Sequence, residues 1–228
     1  MTHSDDSGLI LPPKLAPIHV AIVPIYRKDD EKERVYAEAE KVKAELSALG
    51  LHVKFDDRDN MQPGAKFYEW EMKGVPIRIE IGPKDLEKGV LCLVRRFVLE
   101  QPGESVEDQR KRRKSFVPRA EAISGLPAIL AQMQKELYQR ALAFRTSRSR
   151  IINTMEEFER FFKQEGGGFA WVHWAGSGDD EDAMSKRFET TVRCIPLPDQ
   201  IPAEAQGKGT CILTGKPSAQ RVIMAKAY

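Results

Sequence analysis

The stretch from Lys66 to Arg78 holds the side chains best suited to chemistry. Phe67, Tyr68 and Trp70 sit among Lys66, Lys73 and Arg78, with Glu71 between them. Aromatic rings stack on unpaired bases and cations meet phosphates. A carboxylate accepts hydrogen bonds from the amino groups of bases. The set therefore suits a single-stranded nucleic acid. A second reading stands beside it: Phe67 and Trp70 share one face of a helix and pack into a core. Within the basic run Arg110 to Lys114, the residues Lys111 to Lys114, including Arg112 and Arg113, could touch a phosphate backbone. A solvated charged loop is the commoner role of such a run.

No other group of residues makes a catalytic constellation. Asp56, Asp57 and Asp59 could hold a hard cation, but a turn capped by its own carboxylates is the expected role. His3, His19, His52 and His173 show no ligand spacing. Thr214 to Ser218 has Pro217 where a phosphate loop needs Ser or Thr, and lacks the upstream glycine. Tyr26, Arg27, Lys28 and Asp29 follow Ile25, which is wrong for a glycine-rich nucleotide turn. Cys92, Cys194 and Cys211 are odd in number and form no CxxC pair. They exclude a disulfide framework or a four-cysteine metal site and point to a reducing compartment. The net charge of +2 announces no polyanion, so local charge must carry that case. No run of about 18 apolar residues occurs, so no membrane span is expected.

The elements that must position these residues read as α/β. Prolines from Leu9 to Pro17 predict an extended lead-in. His19 to Tyr26 is a buried strand. Asp29 to Leu49 is an amphipathic helix with Val35, Ala39, Val42, Leu46 and Leu49 on one face. Leu51 to Phe55 is a second strand, so the three make a βαβ unit with a partly parallel sheet. The loop Asp56 to Gly64 leads to a short helix, Ala65 to Lys73. Val75 to Ile81 alternates as a strand with one dry face, and Val90 to Val98 is another. Arg119 to Phe144 is helical, with Pro127 expected to divide it. Arg145 to Arg150 is a linker or helix end. A second unit follows, with helices at Met155 to Gln164 and Asp180 to Phe188, and strands at Phe169 to Trp174 and Thr190 to Ile195. Cys211 to Leu213 and Arg221 to Ala225 read as a hairpin around Thr214 to Ser218.

Several strings, in order along nearly the whole chain, resemble prolyl-tRNA synthetases of the archaeal and eukaryotic type, which are class II aminoacyl-tRNA synthetases. HSDDSGLILPP (His3 to Pro13) is similar to the exit from the last catalytic motif. DDRDNMQPGAKFYEWEMKGVPIRIEIGPKDLE (Asp56 to Glu87) resembles the most recognisable stretch of the anticodon-binding domain. TVRCIPL (Thr191 to Leu197), CxxxGKP (Cys211 to Pro217) and the final AKAY resemble the small C-terminal domain.

The resemblance implies three parts: a motif tail and lead-in at 1–16, an anticodon-binding domain with a helical extension at 17–150, and a C-terminal domain at 151–228. The fold implied is a mixed sheet flanked by helices, followed by a small α+β domain. The partner implied is proline tRNA, whose second and third anticodon bases are guanine. Phe67 would stack on a base, Glu71 would accept from guanine N1 and N2, and Arg78 and Lys84 would add polar contacts, with Trp70 packed inward. Relatives hold a structural zinc with four cysteines; those positions here are Ala175, Asp180, Cys211 and Thr214, so the zinc site is expected to be lost. Phe169, Trp171 and Trp174 would then hold that domain by packing. Tyr228 would turn its carboxylate toward a catalytic domain. The parent enzyme would use ATP and Mg²⁺ as a cytoplasmic homodimer. A chain opening at Met1 on the motif tail reads as a catalytically inactive, monomeric fragment of it. The competing reading is an interaction or regulatory module that keeps the fold without reading RNA.

Overall fold

A hairpin precedes the proline-rich lead-in, which is not extended throughout but turns at residues 13–15. In the computed structural model, which describes residues 3–164 and 166–226, β1 (Ser4–Asp5) pairs antiparallel with β2 (Gly8–Leu9). Tyr228 lies outside the described residues. The chain divides into two compact units, 1–140 and 141–228.

In the first unit, β3 (Val20–Pro24) is buried along its whole length. Helix α1 (Asp29–Ala48) buries Val35, Ala39, Val42 and Leu46, and Asp29, Asp30 and Glu31 favour its N-terminal dipole. Leu49 caps it and is exposed, so the apolar row stops at Leu46. Next come β4 (Val53–Phe55), α2 (Pro63–Met72), β5 (Ile77–Ile81), α3 (Pro83–Lys88) and β6 (Val90–Arg95). The basic segment is not a loop. It is α4 (Val106–Arg113), capped by Ser105, and it runs directly into β7 (Lys114–Pro118). The sheet order is β4-β3-β5-β6-β7; β3 is parallel to β4 and β5, and the other pairs are antiparallel.

Helix α5 (Arg119–Ser147) contains Pro127 without dividing there. An internal proline costs about 3 kcal/mol. Ile123 and Leu126 before it, and Leu130, Met133 and Leu137 after it, are buried. At about 1.5–3 kcal/mol for each such side chain, that burial outweighs the lost bond.

Period-two alternation gives the sheet two distinct faces. Ile77, Ile79, Leu91 and Leu93 join the main core with α1 and α5. On the opposite face, Ala21 and Val23 pack against Trp70 and Val75. Further along that face the register aligns Arg78 with Val94 and Lys114, and Glu80 with Cys92 and Phe116.

The second unit has a four-stranded sheet in the order β10-β13-β9-β8, introduced here as β8 (Ser149–Ile151), β9 (Phe169–His173), β10 (Thr190–Cys194) and β13 (Arg221–Lys226). Between them run α6 (Met155–Lys163), α7 (Gly178–Phe188) and the small hairpin of β11 (Gly209–Thr210) with β12 (Pro217–Ser218). The expected hairpin is therefore corrected. Cys211–Leu213 lies within the turn, closed by Cys211 N–H to the Lys216 carbonyl at 2.8 Å. β13 instead pairs with β9 and β10, because Val222 and Met224 alternate into the core. The core packing is corrected in part: Phe158, Phe161, Phe162 and Phe188 build it and Trp174 packs against it as expected, while Phe169 and Trp171 remain half-exposed.

Asp56 fixes α2 on the first unit. Its buried carboxylate accepts from Trp70 Nε1 at 2.8 Å and from Arg58 Nε and Nη2 at 2.8 and 2.7 Å. Buried Lys66 donates to the Asp56 carbonyl at 3.0 Å. The expected cap is present, since the same carboxylate accepts from the Arg58 N–H at 3.4 Å, and the buried contacts are added to it. Burial alone would raise the Asp56 carboxyl, but Arg58, Trp70 and Lys66 bring it down to about 2. A depressed pKa gives stability that is present above the unfolded value and lost as pH falls through about 2. Asp56→Ala is expected to cost about 3–5 kcal/mol in denaturant unfolding, because it removes the carboxylate 3.8 Å from the buried Lys66 ammonium and leaves Trp70 Nε1 without its acceptor. Asp56→Asn should flatten the acid loss between pH 4 and 2. A cost below about 1 kcal/mol for Asp56→Ala would contradict this anchor.

Candidate nucleic-acid interface

Helix α2 separates its aromatic residues by face. Trp70 is 5% exposed and points inward, Tyr68 is 62% exposed, and Phe67 lies between at the edge of the packed patch. The Arg78 guanidinium sits 4.3 Å from the Phe67 ring centroid. Its Nη1 donates to the Phe67 carbonyl at 3.3 Å, and its Nε and Nη2 donate to Glu80 Oε1 at 3.2 and 2.8 Å. Glu80 Oε2 accepts from Lys114 Nζ at 2.7 Å. Burial would raise the Glu80 carboxyl, but Lys114 and Arg78 hold it below the usual range, so it stays ionised.

One turn beyond Phe67, Glu71 borders a crevice of about 40 Å³ lined also by Trp70, Val75, Arg78, Val94, Arg96 and Arg113. Glu71 Oε1 lies 3.4 Å from Arg113 Nη1. Buried Arg96 donates to both Asp5 oxygens at 2.8 and 2.5 Å, to the Gly8 carbonyl at 3.1 Å and to the Glu71 carbonyl at 3.1 Å. Gly8 and Gly74 allow the hairpin this close. A Cβ on Gly8 would lie 2.5 Å from the Met72 Cα, and one on Gly74 would lie 2.7 Å from the Leu9 carbonyl carbon. At a carboxylate so placed, one oxygen faces a cation and acceptor capacity remains for paired donors.

Phe67, Arg78 and Glu71 thus come together. Lys84 does not join them; it is exposed in the first turn of α3, beyond the far end of β5. The basic run divides. Lys111 is exposed, beside Glu107 at 3.1 Å and Asp108 at 3.7 Å. Arg112 is committed to Glu104 and to the Leu99 carbonyl at 2.8 Å. Arg113 turns inward to Glu71 instead of facing solvent. Arg96 and Phe116 are the residues that sequence reasoning missed, and Lys114 was read only as part of the basic run. The alternation Lys114, Phe116, Pro118 could have signalled a strand with its polar and aromatic side chains on one face.

Residues 19–127 match the family model of the anticodon binding domain, and residues 155–228 match that of the prolyl-tRNA synthetase C-terminal region. Across its full length the chain is also similar to proteins named proline–tRNA ligase. It is 47% identical over 228 residues to that of Roseiflexus castenholzii, 45% over 229 to that of Chloroflexus aggregans and 40% over 228 to that of Christiangramia forsetii. The chain belongs to the prolyl-tRNA synthetase family. Each alignment covers 100% of this chain but only 44%, 44% and 42% of those relatives, so the chain spans less than half their length. The mixed five-stranded sheet flanked by helices is the anticodon-binding fold. All of Phe67, Glu71, Arg78 and Lys84 lie within the matched domain.

In the C-terminal region the donor set does not fit the zinc implied by the resemblance. Cys211 is 2% exposed. Burial would raise its thiol, but the Thr214 hydroxyl and the N–H groups of Thr214, Ala175 and Leu213 lower it overall. Asp180 caps α7, accepting from Ser177 N–H at 2.8 Å and Ser177 Oγ at 2.9 Å. One thiol, a committed carboxylate, a hydroxyl and a methyl group do not make a tetrahedral zinc site. We propose that hydrogen bonds replace the metal here. EDTA or added zinc should leave the thermal unfolding of the purified protein unchanged. One tightly held zinc per chain, with a lower Tm on chelation, would contradict this.

Proposed function

We propose that this chain reads the anticodon of proline tRNA, as the tRNA-binding part of a proline–tRNA ligase. The observation that carries the reading is the convergence of the Glu71 carboxylate and the Phe67–Arg78 stack on one edge of α2. Guanine presents N1–H and N2–H₂ side by side, and a carboxylate accepts both. Arg113 fixes one Glu71 oxygen and so limits the directions from which those donors arrive. The half-exposed Phe67 ring takes a base face, backed by the Arg78 cation. Exposed Lys84 and Lys111 lie outside the crevice, where a phosphate backbone would pass. Activation of proline with ATP and Mg²⁺, dimerisation and transfer to tRNA would fall to the part of the ligase that this chain does not span. Among the described residues no helix is long and apolar enough to cross a membrane; work in the cytoplasm is part of the same proposal.

Binding of the purified chain to proline tRNA, measured at two salt concentrations beside a transcript with both anticodon guanines replaced, tests this. A preference of about 10- to 100-fold for the natural anticodon is expected, and Glu71→Ala should abolish it. Phe67→Ala should weaken binding to both transcripts. Equal, salt-sensitive binding of the two transcripts would leave only non-specific charge contacts. No binding to either would favour an interaction module on the same fold.

A further inference from the structure

We propose that Lys114 and Phe116 on β7 form a second base-stacking seat, for an unpaired nucleotide next to those taken at Glu71 and Phe67. This rests on the anticodon-reading function above and extends its surface across the sheet. Phe116 is 61% exposed, and a lone exposed ring would need no explanation. This ring is not alone. Lys114 Nζ lies over it, 5.6 Å from the centroid. The same ammonium donates to Glu80 Oε2, while Arg78 donates to Glu80 Oε1. Glu80 therefore holds two cations at once, each against its own aromatic ring: Arg78 on Phe67 and Lys114 on Phe116.

The sheet register makes the two halves parts of one surface. Arg78, Val94 and Lys114 are cross-strand neighbours, as are Glu80, Cys92 and Phe116. Strands lie about 4.8 Å apart, so β5 and β7 are separated by about 10 Å. A splayed loop strand crossing from α2 meets both rings in turn. The buried carboxylate is balanced by two cations, which leaves one net positive charge on the trio. A cationic surface with rings at intervals takes single-stranded nucleic acid with little regard to base identity. This seat should therefore add affinity, while Glu71 supplies the discrimination.

The test uses anticodon stem-loops of proline tRNA carrying 2-aminopurine at each unpaired position in turn, titrated with wild-type protein, Phe116→Ala, Phe116→Tyr and Glu71→Ala. Wild-type protein should quench a loop position flanking the two guanines. Phe116→Ala should lose that quenching and bind about 5- to 150-fold more weakly, with guanine preference retained. Phe116→Tyr should restore both. Phe116 is exposed, so an unchanged Tm will confirm that the variants are folded. Unchanged quenching and affinity in Phe116→Ala, with guanine preference still lost in Glu71→Ala, would overturn the second seat and leave the function standing. If wild-type protein shows no guanine preference and no quenching anywhere in the loop, both fall.

Discussion

The buried guanidinium of Arg96 sets the geometry on which the interface depends. It spans 91 residues of sequence to hold both oxygens of Asp5, and it also binds the carbonyls of Gly8 and Glu71. A planar fork with five donors makes these four bonds from one position, which the three donors of a lysine cannot do. The hairpin is thereby pressed onto the end of α2, and Glu71 is fixed at the mouth of the crevice. Asp56 secures the same helix from its other side through Trp70 and Lys66. A short helix of ten residues would be marginal on its own. Between these two anchors it becomes a rigid support for the Glu71 carboxylate.

The charge on this surface is ordered rather than abundant. Net charge is only +2, and much of the local cationic charge is spent internally. Arg112 serves Glu104, Arg113 serves Glu71, and Arg78 with Lys114 serves Glu80. Such pairing trades non-specific attraction for position, because a cation already oriented by a carboxylate loses less freedom when it meets a ligand. In the second unit, the Thr214 hydroxyl and the N–H groups of Thr214, Ala175 and Leu213 surround the buried Cys211 thiol and lower it.

Much of the fold was legible because it depends on local periodicity. The rows Val35, Ala39, Val42, Leu46 and Ile77, Ile79, Ile81 carry their own period and name their own buried face. What was illegible depends on partners distant in sequence. Helix α4 has no buried residue to betray it, only a cap at Ser105 and charges on every side. Nothing in a run of five basic residues tells that Arg113 turns inward to Glu71, 42 residues earlier. Pro127 reads as a break until the flanking burial is counted. Phe67, Glu71 and Arg78 were legible together because helix and strand lie close in sequence and face the same side. Arg96 was not, because its role is created by Asp5.

The central claim is that the Glu71 carboxylate recognises guanine through N1–H and the N2 amino group. Replacing each anticodon guanosine by inosine removes only that amino group, and crossing the change with Glu71→Ala makes a double-mutant cycle. The account predicts that one inosine weakens binding to wild-type protein by about fivefold or more and has no effect on Glu71→Ala, a coupling of about 1 kcal/mol or greater. Equal losses in both proteins would mean that the amino group is read elsewhere, and would contradict the assignment of Glu71.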